Sequence, residues 1–302
     1  MKLGLSQLID PRLLPLVDST REFYEHRGTG RGPRNRDELQ SIRRGVRTPE
    51  RSDPPAEVET ARHGDRAVPV RVHSPVSISP RGVLLDIHGG GFYGGSAAAD
   101  DVRNRELADA LGIVVVSVDY LLAPENPWPA APRDCETAAL WLAEHAVGRF
   151  GTSRLCIGGF SAGATLAMTT LVRLRDRGMS AFDAAVLQFG TYDLSGQTPS
   201  GRLIADEYFI EAYAGTAPDR TDPDFSPVYA DLTGLPPVLI VVGEEDVLLR
   251  DNLAMAAHLS AAGVAVDLRV YPAAPHGFTG HRTAMADAAN DDLRAWLDRR
   301  FG

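Results

Sequence analysis

Cysteine and lysine are both scarce in this sequence, and negative charge outweighs positive charge. The chain has two cysteines, Cys135 and Cys156, and one lysine, Lys2. Two cysteines provide neither a disulfide framework nor a metal site, so we expect two buried free thiols. The net charge of −9 argues against a nucleic-acid or anionic-membrane partner, because binding to phosphate requires clustered positive charge.

Long apolar runs are also missing. No run approaches the ~20 residues of a transmembrane helix, so no membrane span is expected. The first ten residues lack the apolar core of a signal peptide, which favours a cytoplasmic protein. A chain of 302 residues, 44% hydrophobic and 24% charged, fits one large α/β domain or two small ones.

From residue 56 onward, strand-like and helix-like segments alternate. Eight apolar or alternating runs are typical of strands: 58–62, 67–73, 82–87, 113–118, 155–158, 184–189, 237–242 and 265–270. Helical patterns cover 100–111, 132–147, the segment from 162 to about 177, 252–262 and 283–300. This alternation predicts a mostly parallel sheet flanked by helices.

Two segments do not follow the alternation. Residues 1–50 contain short helical patterns within 3–27 and 37–47, joined by a Gly/Arg linker at 28–33, and form an accessory element. Residues 191–229 show Gly and Pro punctuation, an aromatic cluster and no strand pattern. An insertion of this length in a compact domain is typically a functional lid or cap.

The segment Gly159-Phe-Ser-Ala-Gly163 joins a predicted strand to a predicted helix, with Ser161 at the apex. A sharp turn there exposes the Ser161 hydroxyl and crowds the positions two before and two after it, where glycine has no Cβ to clash. The N–H of Ala162, at the start of the helix, lies where an oxyanion would form. An ordinary Gly-rich turn gives the same pattern, so the rest of the chain must decide.

A second glycine-rich loop, His88-Gly-Gly-Gly-Phe92, follows the predicted strand 82–87 directly. Successive glycines let the backbone approach a ligand and point N–H groups into a cavity. The carboxyl end of a strand is where open α/β sheets bind ligands, which favours function over a flexible turn. We interpret His88 as structural, positioning this loop through hydrogen bonds.

A serine nucleophile needs a base, and His276 is the best candidate among eight histidines. It lies after the last predicted strand and before the last helix, and His281, five residues on, is a weaker rival. The remaining histidines occupy accessory, strand or helix positions and are expected at the surface: His26, His63, His73, His145 and His258.

The acid that orients the base should follow the strand ending at residue 242. Asp246 is our choice because it lies at the turn beyond that strand. Glu245 is the main alternative, and Glu244 and Asp251 also compete. Asp251 is expected to serve only as a cap of the following helix.

Taken together, these elements resemble the hormone-sensitive-lipase-like carboxylesterases of the α/β-hydrolase fold. The resemblance runs from about residue 80 to 280, and its most specific part is the Pro-rich loop 119–131. It also includes the motifs at 88–92, 159–163, 226–237, 243–246 and 276–278.

The resemblance implies an α/β-hydrolase catalytic domain over 51–302, with a helical cap made of 1–50 and 191–229. It implies hydrolysis of short-acyl esters through an acyl-enzyme, with no metal or organic cofactor. Ser161, Asp246 and His276 would form the triad. The oxyanion hole would consist of three backbone N–H groups, those of Gly90, Gly91 and Ala162.

Substrate preference is expected to depend on aromatic residues near these loops. The candidates for contact with a small ester are Phe92, Phe160, Tyr208, Phe209 and Tyr213, with Trp128 as a further possibility. Relatives often dimerise, so a homodimer is expected by analogy alone.

Three departures from the family pattern affect substrate range more than activity. Phe160 stands in the elbow where a small polar or acidic residue is usual, Leu121 replaces an arginine, and the segment 246–251 is one residue longer. An amidase, lactonase or acyltransferase would use the same early steps. A non-catalytic receptor is disfavoured because all three triad residues are present.

Overall fold

The computed structural model describes residues 4–27, 32–46, 48–76 and 78–302, apart from the side chain of Ser6. In these residues eight strands form one sheet in the order β1-β2-β4-β3-β5-β6-β7-β8. The strands are β1 (Glu57–His63), β2 (Arg66–His73), β3 (Val83–Ile87), β4 (Val114–Val118), β5 (Leu155–Phe160), β6 (Ala184–Gln188), β7 (Val238–Gly243) and β8 (Val266–Tyr271). β1 and β2 form an antiparallel hairpin, and β2 pairs antiparallel with β4. All other pairs are parallel, which confirms the predicted α/β architecture.

The helices in the described ranges are α1 (Val17–Glu25), α2 (Arg36–Gly45), α3 (Asp101–Leu111), α4 (Ala130–Phe150), α5 (Ala162–Asp176), α6 (Tyr208–Ala214), α7 (Leu249–Ala261) and α8 (Ala284–Phe301). The structure extends the predicted helix 132–147 at both ends, and α7 begins three residues earlier than predicted. None of these helices combines the length and the apolar character that a membrane span requires.

Both faces of the central strands are buried, as their continuous apolar sequences predict. In β4, for example, Val114, Val116 and Val118 join the core cluster that contains residues of α4 and α5. Val115 points to the opposite face and joins the cluster that contains residues of α3 and α8. Because side chains alternate along a strand, a single valine-rich run supplies both cores.

The N-terminal segment forms two short 3-10 helices (Leu5–Gln7 and Pro11–Leu16), α1 and α2. α1 lies near α8, and the Tyr24 hydroxyl is 2.8 Å from Nδ1 of His281. α2 reaches the glycine-rich loop, because the Arg43 guanidinium donates to the carbonyl oxygens of Tyr93 and Ala123. Of the linker predicted at 28–33, residues 28–31 lie outside the described residues, as does residue 47 of the helix predicted at 37–47.

The segment 191–229 contains α6 and two short 3-10 helices, and it has no strand. Near the C-terminal end of the segment, Asp224 pairs with Arg173 of α5 and accepts a hydrogen bond from Nε1 of Trp128 at 2.9 Å. The beginning of the segment is held by Asp251 of α7, whose carboxylate accepts hydrogen bonds from the backbone N–H groups of Tyr192 and Asp193. Burial raises the pKa of Asp251 to about 6.

Two expectations about individual side chains are wrong. Asp251 does not cap α7: it lies in the first turn of that helix and bonds to the segment 191–229 instead. His73 is not a surface residue but is fully buried, with Nε2 at 3.2 Å from Oδ1 of Asp101. Burial lowers the pKa of His73. Both thiols, Cys135 and Cys156, are free and buried as expected.

Candidate active site

Ser161 occupies the turn between β5 and α5 with φ 53° and ψ −125°, a conformation that L-residues rarely adopt. Its N–H donates to the carbonyl oxygen of Gln188 at 2.8 Å, which ties the turn to β6. The two glycines of the elbow have no room for a side chain. A Cβ on Gly163 would lie 1.9 Å from the carbonyl oxygen of Ile87, and one on Gly159 would lie 2.5 Å from the backbone of Gly163.

This crowding gives a matched pair of stability predictions. Gly163→Ala is expected to lower the free energy of unfolding by roughly 3 kcal/mol or more, because the new methyl group meets backbone atoms of β3 that cannot move aside. Gly148→Ala is expected to raise it by up to ~1 kcal/mol, because Gly148 lies in α4 with open space around it. Urea unfolding of both variants measures the difference, and equal stability would contradict the steric account of the elbow.

His276 lies between Ser161 and Asp246. Its Nε2 is 3.0 Å from Oγ of Ser161, and its Nδ1 is 2.9 Å from Oδ2 and 3.1 Å from Oδ1 of Asp246. The Asp246 side chain is fully buried, and its Oδ1 also accepts the N–H of Leu248 at 2.8 Å. The imidazole keeps 38% of its side-chain surface exposed, so it can reach both a serine and an incoming substrate.

The competing candidates lie elsewhere. Glu245 is exposed, and Oε2 of Glu244 accepts the N–H of Ala273 at 3.1 Å. Asp251 holds the segment 191–229, and His281 pairs with Tyr24. Among the sequence-predicted bases and acids, the geometry brings together only His276 and Asp246 beside Ser161.

The loop after β3 supplies unpaired backbone donors. Gly90 has φ +118°, and a Cβ there would lie 2.3 Å from the carbonyl oxygen of Gly94, so the loop folds tightly back on itself. The N–H groups of Gly90, Gly91 and Ala162 donate to no acceptor in the part of the chain that the structure describes. Such free N–H groups near a nucleophile can stabilise a developing oxyanion.

His88 supports this loop from below. The ring is buried and stacks on Tyr120 with centroids 4.1 Å apart, and its Nδ1 is 2.8 Å from the carbonyl oxygen of Gly89. The Tyr120 hydroxyl donates to the carbonyl oxygen of His88 at 3.0 Å. Burial lowers the pKa of His88, so the ring is neutral at neutral pH. These contacts agree with the structural interpretation of His88.

Four of the five predicted substrate-contact residues lie beside the glycine-rich loop: Phe92, Phe209 and Tyr213 form one aromatic group, and the Tyr208 ring lies 6.4 Å from that of Tyr93 between centroids. Phe92 and Tyr213 are both buried and stack with centroids 3.9 Å apart. Phe209 lies 6.3 Å from Phe92 between ring centroids, and its Cβ is 3.3 Å from where a Cβ on Gly91 would lie. Tyr208 and Phe209 are half-buried, so of the four they are the ones that a ligand can reach.

Phe160, the fifth, lies on the opposite face of the sheet. Its ring packs with the cluster that contains α3 and α8 and contacts the guanidinium of Arg103 at 4.8 Å from the ring centroid. Arg103 pairs with Asp86 at 2.8 Å and with Asp100 at 3.4 Å, and burial raises the pKa of Asp100 to about 6. A Cβ on Gly89 would lie 2.7 Å from the Phe160 ring, so the side chain supports the glycine-rich loop.

Sequence reasoning missed Arg103, Asp86 and Phe189, which pack around the elbow on this face. Leu121, a second of the three family departures, is 46% exposed and donates its N–H to Asp134 at 2.9 Å. No motif marks Phe189, because its importance lies in a left-handed backbone conformation that a phenylalanine rarely adopts.

Comparison of the sequence and the fold with known proteins shows which family the chain belongs to. A family described as having the α/β-hydrolase fold matches residues 84–280. The carboxylic ester hydrolase LipN of Mycobacterium tuberculosis is 35% identical over 255 residues, which cover 77% of this chain and 68% of the relative. An ethyl acetate hydrolase of Pseudomonas putida is 34% identical over 234 residues, which cover 72% of this chain and 73% of the relative. The crystal structure of a hormone-sensitive lipase from a metagenome library superposes with a TM-score of 0.74 at 28% identity. The superposition covers 97% of this chain and 99% of that one.

Proposed function

Since the chain belongs to the hormone-sensitive-lipase-like carboxylesterases of the α/β-hydrolase fold, we propose that it hydrolyses short-acyl esters with a Ser161–His276–Asp246 triad. The observation that carries the proposal is the continuous chain of hydrogen-bond distances from Ser161 Oγ through both imidazole nitrogens to the buried Asp246 carboxylate. A carboxylate that accepts from Nδ1 leaves Nε2 unprotonated and facing the hydroxyl, as a general base requires.

The mechanism follows from this arrangement. Nε2 of His276 takes the Ser161 proton as the oxygen attacks the ester carbonyl, and the C–O⁻ that forms is held by the N–H groups of Gly90, Gly91 and Ala162. His276 then gives its proton to the departing alcohol, which leaves an acyl-enzyme. Water, deprotonated by the same nitrogen, releases the acid and regenerates the serine. Each oxyanion donor contributes roughly 3 kcal/mol to stabilising the transition state.

The preference for short acyl chains is supported by the aromatic residues above the glycine-rich loop. Phe92 and Tyr213 are buried and stack on each other, and the Cβ of Phe209 lies 3.3 Å from where a Cβ on Gly91 would lie. The Phe209 side chain therefore limits the room beside Gly91 for an extended acyl chain. The name of the Pseudomonas putida relative, ethyl acetate hydrolase, agrees with a small substrate.

A series of p-nitrophenyl esters tests the proposal. Acetate and butyrate are expected to be hydrolysed best, with kcat/KM for the dodecanoate lower by roughly tenfold or more, because a long chain must displace packed aromatic side chains. p-Nitroacetanilide, which carries the same acetyl group on an amide, is the matched control and is expected to react far more slowly.

The proposal is wrong in its reaction class if no ester in the series is hydrolysed above background. Faster reaction of the anilide than of the acetate ester would identify an amidase. Equal rates from acetate to dodecanoate would leave the esterase intact but remove the short-acyl preference.

A further inference from the structure

Phe189 directly follows β6 and has φ +41°, in the left-handed region that bulky residues rarely adopt. Its N–H donates to the carbonyl oxygen of Val241 at 2.7 Å, and its side chain is 1% exposed. Strained residues persist only where their surroundings fix them, and they cluster at active sites.

The Phe189 ring contacts the imidazole of His276. The two ring centroids are 5.1 Å apart with an interplanar angle of 71°, the edge-to-face arrangement that aromatic pairs prefer. Among the described residues no other aromatic ring contacts that imidazole. Phe160 and Phe278 pack on Phe189 from behind, at 6.4 Å and 6.3 Å between centroids.

His276 is held by hydrogen bonds at both ring nitrogens but is partly exposed. Its side chain is 38% exposed and lies on the loop between β8 and α8. Phe189, in contrast, projects from the end of a central strand and is backed by Phe160, whose own ring lies against Arg103. Phe189 is thus an apolar contact between the central sheet and His276, in addition to the hydrogen bonds of His276 to Ser161 and Asp246.

We propose that Phe189 is a positioning residue for the triad: its ring holds the His276 imidazole in the rotamer that faces Ser161 and Asp246 at once. The inference rests on the proposed function. Phe189 acts through His276 and is not a catalytic residue. Because a displacement of about 1 Å can lower a rate by up to about a hundredfold, loss of this contact should slow proton transfer without weakening substrate binding.

Two variants test the inference, Phe189→Leu and Phe189→Met, since both keep an apolar side chain but remove the aromatic edge. Their kcat for p-nitrophenyl acetate is expected to fall roughly tenfold or more, with KM within about twofold of the wild-type value. The rate of inactivation by diisopropyl fluorophosphate should fall by the same factor, because phosphorylation of the serine with loss of fluoride also needs His276 to deprotonate Ser161 but makes little use of the substrate pocket.

Phe182→Leu is the matched control. Phe182 is a buried phenylalanine that precedes the same strand at its other end and packs on the opposite face. It loses an equivalent ring far from His276, so its kcat and its inactivation rate should stay near the wild-type values even if its thermal midpoint falls. All rates are normalised to the folded monomeric or oligomeric fraction recovered by gel filtration.

Backbone strain is tested separately by comparing Phe189→Gly with Phe189→Ala. Glycine adopts positive φ freely, so the glycine variant should unfold at the higher urea concentration, although glycine usually destabilises relative to alanine. A more stable alanine variant would show that the strain is absent.

Wild-type kcat and inactivation rates in both Phe189→Leu and Phe189→Met would overturn the inference. A raised KM with an unchanged inactivation rate would also overturn it, since Phe189 would then serve substrate binding. If the wild-type enzyme itself neither hydrolysed esters nor reacted with the fluorophosphate, the proposed function would have failed instead.

Discussion

Ser161→Ala is expected to lower kcat for p-nitrophenyl acetate by a factor on the order of 10⁶, because in the proposed mechanism it removes the oxygen that forms the acyl-enzyme. The hydroxyl is 3.0 Å from Nε2 of His276, on a turn whose backbone conformation exposes it. Methyl for hydroxyl is a small change in volume at a half-buried position, so the fold should be preserved. The free N–H groups would still hold a carbonyl, and a residual rate above buffer is therefore expected.

The measurement compares initial rates of the wild-type and alanine enzymes under saturating ester, with covalent labelling by diisopropyl fluorophosphate followed by intact-mass analysis. Ser260→Ala is the control, because Ser260 is exposed on α7, away from the triad. Labelling should disappear in Ser161→Ala alone. Activity that survived this change would mean that another residue is the nucleophile.

The sequence predicted the fold well because its signals are local and repeated. Each buried strand is a short apolar run, and a run such as 113–118 is buried on both faces in the structure. The elbow motif could also be recognised in the sequence, because positions 159 and 163 must lack a Cβ. In the structure a Cβ on Gly163 would clash with the backbone of Ile87, and one on Gly159 would clash with the backbone of Gly163.

The side-chain environment of the site was harder to predict, because it depends on which face of the sheet a residue reaches. The elbow motif suggests that Phe160 contacts substrate together with Tyr208 and Phe209, yet Phe160 packs on the other face of the sheet against Arg103. Position 160 is the last residue of β5, and adjacent side chains of a strand point to opposite faces. Motif position alone does not reveal that orientation.

Long-range pairing explains the remaining differences. Asp251 follows a predicted strand and precedes a predicted helix, which is the usual place of an N-cap, but its carboxylate bonds to Tyr192 and Asp193, about sixty residues earlier. Its neighbour Asn252 donates to the carbonyl oxygen of Gly190 at 2.9 Å. The start of α7 thus holds the beginning of the segment 191–229 next to the loop that carries Asp246. No local pattern contains that information.

Substitutions at the adjacent carboxylates Asp246 and Glu245 test which of them orients His276, and one of them is expected to lower kcat strongly. Asp246→Asn is expected to lower kcat by about 10⁴, because the amide N–H₂ group would donate to Nδ1 and force the proton onto Nε2, where the base must be free. The buried side chain keeps its size and its bond from the Leu248 N–H, so the fold should change little. Glu245→Gln is the matched control: it makes the same carboxylate-to-amide change one residue away on an exposed side chain, and its kcat should stay within about twofold of wild type.

Both variants are measured with p-nitrophenyl acetate and diisopropyl fluorophosphate beside the wild-type enzyme, after their thermal midpoints have been compared. The expected pattern is a large loss of kcat and of the rate of serine phosphorylation by the fluorophosphate in Asp246→Asn alone. The reverse pattern, with Glu245→Gln inactive and Asp246→Asn active, would reassign the acid to Glu245 and would require the imidazole to turn away from the carboxylate that lies 2.9 Å from its Nδ1. Equal, small effects in both variants would mean that orientation of His276 depends on its packing against Phe189 more than on either carboxylate.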